Sequence, residues 1–132
     1  VIRKKKKFVN FCGVTHVQIA LAQYMQQHPE HISGLSSFYQ QKRDLFISGI
    51  QQSKFSLLPS SGTFFQNVDY SAIRPDLNDV NMCKYLAEEH KIVAIPVSVF
   101  YQKAPENLRL IRFCFAKKNE TLIQAGQILN QV

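Results

Sequence analysis

At 132 residues, with 45% hydrophobic and 19% charged side chains, the chain can bury one sizeable core and is too apolar to be a disordered segment. Its formal net charge of +7 is concentrated at one end, because Arg3 and the lysine run 4–7 hold five of the 16 basic residues. Without them the balance is near neutral, so no basic face for nucleic acid or an anionic membrane is expected, and no apolar run has transmembrane length.

The basic run followed by residues 8–14 imitates a signal peptide, but the apolar stretch is short, is broken by Asn10 and lacks a small-residue cleavage site. The chain opens on Val1 rather than Met, which suggests a piece of something longer. Cys12, Cys83 and Cys114 are odd in number, far apart and set among apolar residues, the pattern of reduced, buried thiols in a cytoplasmic protein. There is no CxxC or HExxH spacing, and Pro29 separates His28 from His31, so no metal site is expected.

Thr15 followed by Gln18 reads as a capping box, and Val17, Ala20, Leu21, Tyr24 and Met25 then keep helical spacing until His28-Pro29. A second, long helix is expected from about Ile32, with Leu35, Phe38, Tyr39, Lys42, Leu45, Phe46, Gly49 and Ile50 on one face. Within it Arg43 and Asp44 are adjacent, positions that do not face each other, so each is expected to pair elsewhere. Residues 55–58 and 63–68 read as strands joined by the Pro59-Ser60-Ser61-Gly62 turn. Asp76 is the expected N-cap of a third helix through Glu89, buried by Leu77, Val80, Cys83 and Leu86. A short apolar strand at 92–95 ends at Pro96, a loop follows through Phe100 and Tyr101, and Asn119 caps a last helix with Leu122, Ile123, Ile128 and Leu129 inside.

Between them residues 107–118 read N-L-R-L-I-R-F-C-F-A-K-K, a strand with a charge set into its middle. Side chains alternate, so Leu110, Arg112, Cys114 and Ala116 share one face while Ile111, Phe113 and Phe115 share the other. Arg109 lies at the strand's start, where it can reach water. Arg112 lies deeper, and burying its guanidinium unpaired costs several kcal/mol, on the order of a domain's whole stability. Three solutions are open: an internal salt bridge, an edge strand that lets the side chain reach solvent, or a carboxylate that arrives as ligand. The element order implies an α/β protein of the α+β two-layer sandwich type, a small, mostly antiparallel sheet covered by helices, with no repeat or second domain.

Five stretches carry a family resemblance: F-V-N-F with T-H-V-Q-I-A-L-A (8–22), F-Y-Q-Q-K-R-D-L (38–45), P-S-S-G-T-F-F-Q-N-V-D (59–69), A-I-P-V-S-V-F-Y (94–101) and L-I-R-F-C-F-A-K (110–117). Together they resemble the C-terminal small domain of class I/II, fold-type I aminotransferases dependent on pyridoxal phosphate (PLP), nearest the methionine and kynurenine (glutamine transaminase K-like) branch. The resemblance implies that residues 8–132 form that small domain behind a basic tail at 1–7. It implies that Arg112 clamps the α-carboxylate of an amino or 2-oxo acid, since a planar fork gives a carboxylate two parallel hydrogen bonds. Phe11 and Tyr101 are further substrate-contact candidates.

No lysine here sits in the S-x-x-K context that forms the cofactor Schiff base, so PLP, its acidic partner and its phosphate cup are expected on a large domain absent from this sequence. A fragment with no catalytic or cofactor-binding residue of its own, from a cytoplasmic homodimer, is the implied whole. Two other readings share these features: a cysteine-conjugate β-lyase using the same clamp, and a non-catalytic aminotransferase-like module of a regulator.

Overall fold

The structure is a computed structural model that describes residues 13–132. The chain divides into two compact units, one ending at Ser36 and the other running from Ser37 to Val132.

The first unit holds helix α1 (Thr15–Gln27) and the start of α2 (Pro29–Gly49). Thr15 is the first helical residue and not its cap; the N-cap is Val14, with no side-chain hydrogen bond. The helix ends at His28, whose N–H reaches Tyr24 O at 2.8 Å. Pro29 then opens α2 itself, three residues before the expected start, because a fixed φ and a missing N–H suit the first helical position. No residue of α1 is buried, and Val17, Ile19, Leu21, Tyr24 and Met25 are all exposed. Tyr24 contacts both nearby histidines, its ring tilted against that of His28 at 4.8 Å and its hydroxyl 2.9 Å from His31 Nδ1.

In the second unit the sheet runs β1 (Ser56–Leu57), β2 (Phe65–Asp69), β4 (Leu110–Cys114), β3 (Ile95–Pro96) in spatial order, every neighbouring pair antiparallel. Helix α3 (Asp79–Glu89) lies between β2 and β3 in the chain, the one-turn 3-10 helix Ser98–Phe100 follows β3, and α4 (Asn119–Leu129) closes the unit. β3 starts three residues later than expected and ends one later, so that Pro96 lies inside it; an edge strand tolerates the missing N–H.

Alternation along the strands sorts the two faces. Gln66, Val68, Ile111 and Phe113 are buried, and they join Phe46 and Ile50 of the α2 end, Met82 and Leu86 of α3, and Leu122 and Leu129 of α4 in one core. Phe113 meets the rings of Phe46 and Phe55 at 5.7 and 5.9 Å. The helices cover one face only, which makes the unit the two-layer α+β sandwich that the element order implied.

Two further caps differ from expectation. Asn78 caps α3 by accepting the Asn81 N–H at 2.8 Å, while Asp76 sits in the turn before it, paired with Arg74 at 2.7 Å. The buried face of α3 therefore runs through Asp79, Met82 and Leu86, leaving Val80 exposed. Lys118 precedes α4 without a side-chain cap, and Asn119 Oδ1 accepts instead from Lys42 Nζ at 2.7 Å. Ile123 of α4 is exposed, and the core positions are Leu122, Gly126 and Leu129.

Candidate functional site

Arg112 stands in the middle of β4, opposite Asn67 of β2 and Ile95 of β3. Leu110 and Cys114, which share its face of β4, are only partly buried, so the side chain is half-buried at the sheet surface and is not enclosed in the core. What buries it is aromatic. The guanidinium carbon lies 4.0 Å from the Phe65 ring centroid and 4.5 Å from that of Phe100. Phe65 comes from β2 and Phe100 from the turn after β3, the two strands that flank β4. Cation–π contacts of this kind hold a guanidinium in place without satisfying its donors.

Those donors have no protein acceptor among the described residues. Nε of Arg112 is buried with no hydrogen-bond partner, and no ion pair there involves Arg112. A cleft of about 290 Å³ opens beside it, walled by Pro59 to Thr63, Phe65 and Asn67. On another side Arg112 borders an apolar cavity of about 460 Å³ whose polar lining is Lys91, Cys114, Lys117 and Thr121. Neither contains a carboxylate. A planar cation braced by rings and bordering a cleft without an internal anion is built to take an anionic group from outside.

The cleft wall is held from behind. Arg43 Nη1 donates to Ser60 O at 3.0 Å, and the same guanidinium bonds Asp44 Oδ1 at 2.9 and 3.0 Å. The adjacent Arg43-Asp44 pair thus does form, because the long arginine side chain folds back where two shorter ones could not meet. Gln66, fully buried, donates through Nε2 to Leu58 O at 2.6 Å and Asn67 O at 2.8 Å, tying the turn to β2. Thr63 takes a left-handed φ of 67°, and its hydroxyl accepts the Phe65 N–H at 2.9 Å. A β-branched residue is strained there, and the hydroxyl bond offsets part of that cost.

Of the residues singled out in the sequence, Arg112 borders the cleft. Tyr101 does not; it is exposed at the end of the 3-10 turn, while its neighbour Phe100 supplies the ring against Arg112. Phe11 and the basic run 4–7 lie outside the described residues. Arg109, expected to reach water, is tied down by Pro75 O, Glu106 O and Leu108 O. Phe65, Asn67 and Asp79 had no sequence signal of their own. Their place beside Arg112 or behind it depends on strand register and on a contact 19 residues apart in the chain.

Two titratable groups of this unit, the buried Tyr70 and the half-buried Cys83, are chemically quiet. Burial, and then the Asp79 carboxylate, push the Cys83 thiol up to about 12. Burial likewise raises the Tyr70 hydroxyl to about 12 against the pull of Arg109, and that hydroxyl donates to Leu77 O at 3.0 Å. A thiol held protonated is a poor nucleophile, so Cys83 packs and does not react.

Residues 1–126 match the family model for aminotransferase class I and II. Methionine aminotransferase of Escherichia coli K12 is 44% identical over 99% of this chain, and kynurenine–oxoglutarate transaminase of Dictyostelium discoideum is 30% identical over 94%. In both cases the match spans 33% of the relative's length, about a third. The E. coli methionine aminotransferase crystal structure superposes with a TM-score of 0.85 over 99% of this chain and 34% of that one. N-succinyldiaminopimelate aminotransferase of Mycobacterium tuberculosis, 26% identical, gives 0.81 over 98% of this chain and 34% of that one. With the same two-layer fold and a family model matched over nearly its whole length, the chain belongs to the class I and II aminotransferase family.

Proposed function

We propose that this chain is the small domain of a PLP-dependent aminotransferase and supplies the clamp for the substrate α-carboxylate. The observation that carries the reading is the Arg112 fork, braced by Phe65 and Phe100 beside a cleft and without an acceptor among the described residues. A carboxylate entering the cleft brings the acceptors that the described residues leave out. Two parallel bonds from a planar fork fix both its position and its rotation, which orients the Cα substituents for chemistry done elsewhere. In this reading Tyr101, exposed beside Phe100, contacts the substrate, and Phe11 is a further contact. Residues 8–132 then form one functional domain behind the tail at 1–7.

The cofactor is another matter. PLP supplies the electron sink that labilises bonds at Cα, but the described residues do not make a seat for it. No lysine lines the cleft between Pro59 and Arg112, and Lys42, Lys54 and Lys91 are spent on Asn119, Val132 O and Glu88 O. No chemical step is therefore assigned to a residue of this chain. A large domain of the same protein is the proposed partner that binds PLP, in a cytoplasmic homodimer acting on an amino acid and a 2-oxo acid. The relatives' length and the uncovered apolar residues of α1 support such a partner.

Arg112→Ala in the intact protein tests the reading. Truncating one partner of a buried, hydrogen-bonded charge pair costs about 3–4 kcal/mol, so kcat/KM for every α-carboxylate substrate falls by roughly two to three orders of magnitude, mainly through KM. PLP absorbance stays. Arg112→Lys recovers little, because an ammonium lacks the fork. A variant with native kinetics and only a lower Tm would refute the clamp.

A further inference from the structure

We propose that Asp79 is a positioning residue for the Arg112 clamp, a role that rests on the carboxylate-binding reading above. Asp79 is 3% exposed and forms no ion pair among the described residues, an expensive situation for a carboxyl group. Capping α3 does not require it, since Asn78 already does that work. Its Oδ1 accepts the Val80 N–H at 3.0 Å, a local bond. Its Oδ2 reaches 19 residues along the chain and accepts the Ser98 N–H at 2.6 Å.

Ser98 opens the turn that carries Phe100. Val99 and Phe100 are 60% and 61% exposed, so hydrophobic burial does not hold this turn down. Its own bonds, Phe100 N–H to Val97 O and Tyr101 N–H to Ser98 O, make it a single stiff piece. A stiff piece anchored at Ser98 carries Phe100 with it, and Phe100 is one of the two rings that brace Arg112. The short bond to a carboxylate buried at the start of α3 therefore sets where the guanidinium points. Releasing it leaves Phe65 as the remaining aromatic brace.

The test uses the intact protein with Asp79→Asn, Phe100→Ala, the double variant and Arg112→Ala. Asparagine keeps one acceptor for α3 but turns the other into a donor facing the Ser98 N–H. Asp79→Asn is expected to raise KM for α-carboxylate amino acids roughly three- to thirtyfold, the range for a lost, partly desolvated cation–π contact. The KM for an amine of the same side chain lacking the carboxylate, and kcat, stay within about twofold. Amide hydrogen exchange at 98–101 accelerates in the same variant. Phe100→Ala, an exposed and fold-safe change, gives the same selective loss, and adding Asp79→Asn to it costs nothing more. Equal KM changes for both substrates, additive losses, or a Phe100→Ala enzyme with native carboxylate KM would each overturn the role of Asp79. If those variants behave natively while Arg112→Ala still raises KM, only this inference falls; if Arg112→Ala is itself silent, the clamp reading fails.

Discussion

Arginine, tyrosine and cysteine side chains in this small sandwich meet their surroundings in opposite ways. Aromatic faces and an open cleft border the Arg112 guanidinium, whereas burial disfavours the anions of Tyr70 and Cys83 and keeps their protons in place. The folded state holds both protons at pH values where the unfolded chain, with ordinary values of 10.0 and 9.0, has begun to release them. Within that range the unfolded state binds fewer protons, so stability is intact below about pH 9 and falls as pH rises toward 12. The Tm of the intact protein is expected to hold level up to about pH 9 and then drop. Cys83→Ala should flatten the first part of that drop; a variant curve parallel to the native one would show that Cys83 carries none of it.

Local geometry at element ends decides more here than propensity does. Lys91, just past the C-cap His90 of α3, takes φ 58°, a left-handed conformation in which glycine is at ease and lysine is strained. Lys91→Gly removes that strain at the cost of one exposed bond to Glu88 O, and is expected to stabilise the protein by about 0.5–1 kcal/mol and raise Tm by a few degrees. A lower Tm on thermal unfolding would count against it. The same local control explains the displaced caps. Asp76 has the right chemistry for an N-cap, but Arg74 two residues earlier takes its carboxylate, and Asn78 performs the task. Thr15 and Asn119 begin their helices one position after the caps they were expected to be.

At the scale of the whole molecule, helices meet where side chains vanish. In the second unit the ends of α2 and α4 touch at Gly49 and Gly126, and Asn130 Nδ2 donates to Gly49 O at 2.9 Å. A Cβ on Gly126 would meet Gly49 O at 2.8 Å and its carbonyl carbon at 3.0 Å, backbone atoms that cannot swing aside. A Cβ on Gly49 would find its nearest neighbour at 3.7 Å, an ordinary contact. Gly126→Ala is therefore expected to destabilise by about 1–3 kcal/mol despite alanine's better helix propensity, and Gly49→Ala to be neutral or mildly stabilising. Denaturant unfolding of the two variants side by side checks the asymmetry. Equal effects would mean that the helices are free to separate.

Much was already written in the order of the residues. Strand alternation separates Ile111, Phe113 and Phe115 from Arg112 on opposite faces, and the motifs around it carry the family resemblance. Those features depend on neighbours one to four positions apart, which a chain carries wherever it goes. Which of those faces is the core, and how deep Arg112 lies, depends on what packs against the sheet, and a strand's own residues do not state that. The braces Phe65 and Phe100, the lack of an acceptor for Arg112 among the described residues and the Asp79–Ser98 bond exist only once β2 and β3 close on either side of β4. Contacts made across a sheet or between a helix and a distant turn are set by register and packing, and only the folded chain decides them.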